Sequence, residues 1–121
     1  MSNVMKKSFE DGEIKTPEKA HSASVKLNNV TMSKTVLQPG WSWSSCIKPI
    51  VGTETCQAGH VGVVAKGAIH VKHDDGSEME FKEGDSYYLA PGHDAWVVGN
   101  NETITYEFFT DDKDFGPWKK G

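Results

Sequence analysis

The chain has 121 residues, a mass of 13.3 kDa and a formal net charge of -4. This length fits one domain with a single core. All 13 basic residues are lysines. The arginine fork that usually reads bases and phosphates is therefore missing, which argues against a nucleic-acid partner. No apolar run approaches the ~20 residues that cross a bilayer, and the N-terminus lacks the apolar segment of a secretion signal. We expect a cytoplasmic protein with no membrane partner.

The first twenty residues are polar and rich in lysine and glutamate, so we interpret residues 1–20 as an N-terminal arm and residues 21–121 as one domain. The rest of the chain predicts short strands rich in valine, isoleucine, threonine and aromatic residues. In chain order they are Ala23–Leu27, Val30–Leu37, Ser42–Lys48, His60–Lys66, Ala68–His73, Glu78–Phe81, Ser86–Leu89, Ala95–Val98 and Thr103–Phe109. Glycine- and proline-containing turns separate them, which indicates an all-β antiparallel sandwich or barrel.

Two of these turns predict hairpins. Asp75-Gly76 predicts a tight two-residue turn, with both residues at positive φ, inside the segment Val71–Phe81. Residues 82–85, Lys-Glu-Gly-Asp, predict a second hairpin that joins Glu78–Phe81 to Ser86–Leu89.

Two further motifs resemble those of the cupin superfamily. In the first, Gly40 is followed by WSWSS and then by Cys46-Ile47-Lys48, and His60 is followed by VGVVAK and Gly67. In the second, Gly84 leads through DSYYL to residues 90–99, APGHDAWVVG, and PGHDAWVVG resembles the second motif of a subgroup of small single-domain cupins. The resemblance covers about 60 residues, Pro39 to Asn100. It implies a double-stranded β-helix, the jelly-roll barrel of cupins.

The resemblance also implies four ligand positions inside the barrel, which in most cupins hold three histidines and one carboxylate around a divalent transition metal. In this chain they are Cys46, Lys48, His60 and Ala95. Only the cysteine and the histidine can ligate a cation, so the usual site cannot form from these four positions.

His93 could replace the missing histidine. It lies two residues before Ala95, on the same face if the strand has begun there. We therefore expect a metal centre of Cys46, His60 and His93, completed by Cys56, Gln57 or water. Thiolate and imidazole together favour zinc, iron, nickel or copper over magnesium or calcium.

Lys48 occupies an implied ligand position, where its ammonium would point into the barrel. There it could anchor an anionic substrate, or act as a base if burial lowers its pKa. Alternatively, Pro49 ends the strand and the lysine reaches solvent. With Lys48, we assign substrate contacts to Gln57, Trp43, Tyr88 and Trp96, because jelly-roll barrels commonly hold ligands between aromatic side chains.

Each of these residues also has a purely structural interpretation. Cys46 and Cys56 could be buried apolar residues, or could pair as a disulfide. His60 could be a hydrogen-bonded core residue, and His93 could cap its turn. Trp41 and Trp43, two residues apart on a predicted strand, share a face that could be a subunit contact instead of a pocket.

Three functions remain open. The first is a metal-dependent enzyme acting on a small organic molecule, including an anionic one, with Lys48, His60 and His93 as catalytic residues. The second is a non-catalytic small-molecule or metal-binding module. The third is a metal-free barrel whose chemistry comes from Lys48 and the histidines. We also expect a homodimer, because the arm can cover a barrel edge by exchange with a partner subunit.

Overall fold

The computed structural model describes residues 3–110. These residues form nine strands, two short α-helices and one 3₁₀ turn, Phe9–Asp11. The strands are β1 (Glu13–Lys15), β2 (Ala20–Leu27), β3 (Val30–Leu37), β4 (His60–Lys66), β5 (Ala68–His73), β6 (Glu78–Lys82), β7 (Ser86–Leu89), β8 (His93–Val97) and β9 (Thr103–Phe109). The helices are α1 (Trp43–Cys46) and α2 (Lys48–Val51).

Two antiparallel sheets enclose the core. The larger sheet has the order β1-β2-β3-β9-β4-β7, and the smaller has the order β6-β5-β8. Apolar side chains from both sheets and from the segment around α1 form one buried cluster, which includes Leu37, Trp41, Trp43, Val64, Val71, Phe81 and Val97. The all-β prediction is confirmed. Among residues 3–110, no helix is long and apolar enough to span a membrane.

Strand prediction succeeds where side chains alternate between the core and solvent. The predicted bounds of β3, β4, β5, β7 and β9 agree with the structure. In β8 the side chains of His93, Ala95 and Val97 are buried, whereas Asp94 and Trp96 are half-buried. The strand begins at His93, two residues earlier than predicted, so that histidine shares the inward face of Ala95.

The predicted strand Ser42–Lys48 is wrong, because this segment forms α1 and the first residue of α2. Ser42 is the N-cap of α1, and its side chain accepts a hydrogen bond from the backbone N–H of Ser45 at 3.1 Å. Pro49 lies in the first turn of α2, where its missing N–H costs nothing. Gly52, at φ 82°, ends that helix in the left-handed region.

The first predicted hairpin forms with a different turn. Its connection is three residues long, between the backbone pair of His73 N–H and Ser77 carbonyl at 2.8 Å. Only Gly76 takes a positive φ, 93°. Asp75 stays in the ordinary region and accepts hydrogen bonds from both the backbone and the hydroxyl of Ser77.

The second predicted hairpin is wrong. β6 and β7 belong to different sheets, so residues 82–85 carry the chain from one sheet to the other. The turn is tied to β4 instead, because Gly84 N–H donates to the Val64 carbonyl at 2.8 Å and Val64 N–H donates to the Asp85 carbonyl at 2.9 Å.

Part of the predicted arm belongs to the large sheet. β1 pairs antiparallel with β2 of the same chain, with Glu13 opposite Ser24. Met1 and Ser2 lie outside the described residues. The division at residue 20 between an arm and a domain stays a prediction.

Candidate metal centre

One cluster of metal-ligating side chains lies inside the barrel. It consists of Cys56, His60 and His93, whose ligand atoms all lie within 4.8 Å of one another. The centroids of the two imidazole rings are 5.1 Å apart. The Cys56 Sγ atom is 3.9 Å from Nε2 of His60. A thiol and two imidazoles from three segments of the chain therefore converge.

The backbone positions Cys56 and His93 together. Cys56 N–H donates to the His93 carbonyl at 2.7 Å, and Gly92 N–H donates to the Cys56 carbonyl at 2.6 Å. This isolated β-bridge ties the loop before β4 to the start of β8. His73 Nε2 lies 2.9 Å from the Pro91 carbonyl in the same turn. His60 is the first residue of β4, so both histidines stand at strand beginnings.

Both imidazoles are oriented by a second hydrogen bond. His60 Nδ1 lies 2.7 Å from Oε1 of Glu107. His93 Nδ1 lies 2.7 Å from the Ala90 carbonyl, which can only accept, so this nitrogen carries the proton. The hydroxyl of Tyr87 donates to the other oxygen of Glu107. With Nδ1 occupied, each ring directs Nε2 towards the cluster, the arrangement typical of histidine ligands.

The Glu107 and Tyr87 pair depends on a glycine. Gly62 in β4 lies opposite Tyr87 in β7 and opposite Glu107 in β9. A Cβ on Gly62 would meet the Tyr106 carbonyl, would lie 2.8 Å from Cγ of Glu107 and would lie 3.1 Å from the Tyr87 hydroxyl. Tyr87, Gly62 and Glu107 thus form a row across three neighbouring strands. The Tyr87 and Glu107 side chains can meet because the glycine between them has no side chain.

The cluster has unusual acid–base properties. Burial alone would raise the pKa of the Cys56 thiol, but the hydrogen bonds and charges of His60 and His93 lower it to about 6. Burial alone would lower the pKa of His60, but Glu107 and Cys56 raise it to about 10. The pKa of Glu107 is lowered, because its attraction to His60 outweighs burial. Burial and the neighbouring Glu107 raise the pKa of Tyr87, which keeps its proton. Such perturbations are typical of functional sites.

The cluster borders a small cavity of about 60 Å³. One water needs about 10–15 Å³ in this measure, so the cavity holds a few waters or a molecule of a few non-hydrogen atoms. Most of its wall is apolar, and its polar side includes Cys56, His60, Tyr87, His93 and Glu107. No lysine is among the lining residues in the described part of the chain.

The donor set fits a transition metal. The Sγ to Nε2 distance is 3.9 Å and the three ligand atoms lie within 4.8 Å of one another. A tetrahedron with metal bonds of about 2.0–2.3 Å has edges of roughly 3.5 Å, so the side chains would close in slightly on an ion. Three protein donors leave a fourth position for water or substrate. Glu107 and the Ala90 carbonyl supply the acceptors that fix each imidazole.

A profile of the EutQ-like cupin domain matches residues 33–108. The chain belongs to the EutQ-like cupin family. The cupin resemblance and the jelly-roll fold implied by the sequence are thus confirmed. A search of curated proteins finds no match.

Solved structures with a similar fold include three of use for comparison. An RmlC-like cupin from Shewanella frigidimarina aligns with a TM-score of 0.61 and 19% identity over 89% of this chain and 91% of that chain. KdgF from Halomonas sp. aligns with a TM-score of 0.59 and 16% identity, covering 87% of this chain and 93% of that one. An oxalate decarboxylase from Lactobacillus farciminis, in a formate complex, aligns with a TM-score of 0.64 and 15% identity over 96% of this chain but 36% of its own.

The cysteine of the cluster differs from the sequence-based expectation. Cys46 is buried in α1 and is not part of the cluster, whereas Cys56 is. Both are free thiols, so the open disulfide alternative is wrong. Since Ser42–Lys48 is helical, the alternation that would have turned Cys46 inward along a strand does not apply.

Lys48 does not reach the cavity. Its ammonium forms an ion pair with Glu54 at 2.9 Å, and 37% of its side chain is exposed. The interpretation in which Pro49 ends a strand and the lysine reaches solvent is nearer to the structure, although Pro49 lies in the first turn of a helix that begins at Lys48. The geometry therefore supports neither an anchoring nor a basic role for Lys48 inside the barrel.

The four other predicted substrate contacts divide into one that lines the cavity and three that, like Lys48, do not. Trp43 lines it. Tyr88 is 63% exposed and points away from the barrel interior. Trp96 stacks on His70 with ring centroids 4.8 Å apart. Gln57 is exposed and donates to the Thr55 carbonyl at 3.2 Å.

Sequence reasoning missed Glu107 and Tyr87. The signal for Glu107 was its place in β9, where Thr103, Thr105 and Glu107 share one face. A carboxylate on the inward face of a strand requires a partner. Tyr87 carried no comparable signal, because its direction depends on pairing with Gly62.

Proposed function

We propose that this cupin binds a divalent transition metal through Cys56, His60 and His93 and acts as an enzyme on a small organic molecule. The observation that carries the proposal is the orientation of the two histidines. Each has Nδ1 held by an acceptor and Nε2 directed towards a thiol of lowered pKa. Zinc, iron, nickel and copper all accept this donor set.

The roles of the residues follow from their contacts. Cys56, His60 and His93 hold the ion, which supplies Lewis acidity to a substrate oxygen when bound. Glu107 orients His60, and Tyr87 holds Glu107 in place by donating its hydroxyl hydrogen bond to the other carboxylate oxygen. The largely apolar wall lowers the polarity around this centre, which strengthens the electrostatic interactions there.

The cavity volume restricts the substrate to a few non-hydrogen atoms. One structural neighbour, the oxalate decarboxylase, was solved as a formate complex. A molecule of that size and chemistry, a short carboxylate or oxo acid, suits a cavity of about 60 Å³. Because Lys48 lies outside, the negative charge of such a molecule would be balanced by the metal.

Metal analysis tests the proposal. Protein purified without added metal should carry about one equivalent of a transition metal per chain, and His60→Ala, His93→Ala and Cys56→Ala should each reduce it by about tenfold or more. Cys46→Ala is the matched control, because it removes a buried thiol outside the cluster. Less than about a tenth of an equivalent in the wild type, with no binding on titration, would overturn the proposal.

An assay for product formation distinguishes an enzyme from a cupin that only binds its ligand. The metal-loaded protein should convert at least one member of a panel of short oxo acids, hydroxy acids and dicarboxylates, and His60→Ala should not. Binding of a panel member with no product from any would favour a non-catalytic module.

A second candidate function needs no metal. The order Cys56, His60, Glu107 places a thiol 3.9 Å from an imidazole whose other nitrogen is 2.7 Å from a carboxylate. In thiol-dependent acyl transfer, a cysteine acts as the nucleophile, a histidine acts as the base and a carboxylate orients the histidine. Cys56, His60 and Glu107 have this arrangement. Activity that survives full chelation and disappears in Cys56→Ala would favour it, whereas loss on chelation favours the metal enzyme.

A further inference from the structure

An apolar groove lies on the outside of the barrel, between an edge strand of each sheet. β6 is at the edge of the small sheet and β7 is at the edge of the large sheet. The groove has a volume of about 240 Å³. Met79 and Tyr88 line it and are 59% and 63% exposed, and its buried lining includes Val71 and Phe81. Exposed apolar surface in a concave setting is typical of an interaction site.

The base of the groove is well supported. The Phe81 ring stacks on the Tyr87 ring with centroids 4.7 Å apart. Val71, Phe81 and Leu89 line both this groove and the internal cavity beside the metal cluster. The groove therefore lies on the outer side of one wall of that cavity, and a segment bound in it would cover this wall.

The charged carboxylates of the groove favour a basic partner. Asp75 and Glu78 line it, and their side chains are 65% and 47% exposed. Glu78 pairs with His70 through one oxygen, at 2.8 Å. A carboxylate can accept further hydrogen bonds, so both groups can also receive an ammonium group. The groove thus suits a segment that combines aromatic side chains with lysine.

We propose that the C-terminal segment of this chain, residues 111–121, docks in the groove through Phe115 and Trp118. These residues lie outside the described part of the chain. Their sequence is DDKDFGPWKKG. The two aromatic rings match the apolar sides of the groove, and Lys119 and Lys120, directly after Trp118, match its carboxylates. The inference is independent of the metal centre.

The end of β9 lies close enough for this docking. Glu107 and Tyr87 share one row of the large sheet. Phe109 therefore ends β9 level with Leu89, which lines the groove. Two strand spacings of about 4.8 Å separate these positions, a distance that three or four extended residues cover. Phe115 is six residues beyond Phe109. Attachment to the same chain also raises the effective concentration of the segment at the groove.

Methyl NMR of the full-length protein tests the docking. Labelling with ¹³C-methionine gives one methyl signal for each of the four methionines, including Met79. We expect NOEs from the Met79 methyl group to ring protons of Phe115 and Trp118. Phe115→Ala and Trp118→Ala should each shift the Met79 signal, because a ring leaves its surroundings. Phe9→Ala is the matched control, because Phe9 contacts Tyr106 and does not line the groove.

Proteolysis supplies a second measurement, on the segment itself. Docking should protect the bond after Lys113 from trypsin, so cleavage there follows the population of the undocked segment. Met79→Ser removes an apolar contact and should speed this cleavage about three- to tenfold. Met5→Ser is the control, because Met5 is 44% exposed and does not line the groove. Mass spectrometry identifies the bond that is cut.

A mixing experiment distinguishes the segment of the same chain from that of a second copy. Chains with ¹³C-methionine and deuterated aromatic rings are mixed with unlabelled chains, so that NOEs from Met79 to ring protons arise only between molecules. Such NOEs would overturn the assignment to the same chain. The docking would also be refuted if Met79 showed no NOE to Phe115 or Trp118 in the uniformly protonated sample, or if Met79→Ser and wild type were cleaved at equal rates.

Discussion

Glu107 shows how one side chain organises the centre. Glu107 is not one of the three residues of the cluster. One of its carboxylate oxygens pairs with His60, and the other accepts a hydrogen bond from the Tyr87 hydroxyl. Only 13% of its side chain is exposed, and a buried carboxylate is tolerated only when it is paired. This carboxylate therefore holds Nδ1 of His60 and leaves Nε2 facing the cluster.

Glu107→Gln should lower metal affinity about 10- to 100-fold, because the amide no longer holds His60 as a carboxylate does. A competition titration against a coloured chelator measures this. Glu102→Gln is the control, because Glu102 pairs with Lys66 outside the cavity. Equal affinities for wild type and Glu107→Gln would contradict the orienting role.

The Cys56 thiol should titrate near neutral pH in metal-free protein. Its pKa is lowered from 9.0 to about 6, so the thiolate should be present above about pH 6 and should be protonated below it. The ultraviolet absorbance of the thiolate, followed from acid to alkaline pH, should rise with a midpoint near 6. Cys56→Ser should remove this step and Cys46→Ser should keep it. A single midpoint near 9 in the wild type would be the contrary result.

At the scale of elements, the centre depends on three neighbouring strands of the large sheet. Tyr87, Gly62 and Glu107 occupy one row across β7, β4 and β9. The pleat turns all three positions inward, and the glycine leaves room for the outer two side chains to meet. The strand register brings Tyr87 and Glu107 to either side of Gly62, and the missing side chain at Gly62 leaves room for them to form a hydrogen bond.

Gly62→Ala should separate Tyr87 from Glu107. The added methyl group would overlap the Tyr106 carbonyl and crowd the Glu107 side chain, which should cost about 1–3 kcal/mol in the free energy of unfolding. Metal affinity should fall with it, about tenfold or more. Urea unfolding and metal titration measure the two effects.

Gly84→Ala provides the comparison for that experiment. Gly84 has a φ of 91° and nothing within 4 Å of an added Cβ, so the variant should lose about 1 kcal/mol through backbone strain alone. Its metal affinity should match that of the wild type. If both variants kept wild-type affinity, the row would have no role in the centre.

For the whole molecule, the homodimer expected from the sequence stays a prediction, as does the cytoplasmic location. The large sheet ends at β7, where Tyr88 is 63% exposed and lies opposite Val61, which is 43% exposed. An edge strand with exposed apolar side chains favours pairing with another copy.

Sedimentation at tens of micromolar should give about twice the chain mass of 13.3 kDa. Tyr88→Lys should shift the protein towards the monomer, because a charge at the edge opposes strand pairing. Met79→Lys, at an exposed position of β6 in the other sheet, is the matched control. A clean monomer for the wild type would refute the prediction.

The fold was largely predictable, because β-branched and aromatic residues alternate within short segments such as Val30–Leu37 and Thr103–Phe109. The helical segment around Cys46 was not, since its Ser42 cap and Pro49 were outweighed by a run of residues suited to strands. As a result the wrong cysteine was assigned to the cluster.

The candidate site was predictable only in part for a related reason. His60 occupies a ligand position implied by the cupin resemblance, whereas His93 was placed beside it only through strand alternation with Ala95, on the condition that the strand had begun at His93, as it does. The inward direction of Glu107 and Tyr87 follows from strand register, which pairs residues far apart in the chain, Gly62 with Glu107 among them. Local patterns do not carry that information.

The β-bridge between Cys56 and His93 has a consequence for metal supply. Since backbone hydrogen bonds hold the sulfur and one imidazole in place, the donors keep their spacing whichever ion arrives, and exchanging one element for another requires no refolding. For the metal site proposed above, we therefore expect the ion that is bound to follow the abundance of each metal in the growth medium as much as its intrinsic affinity, which metal analysis of protein from media of different composition measures.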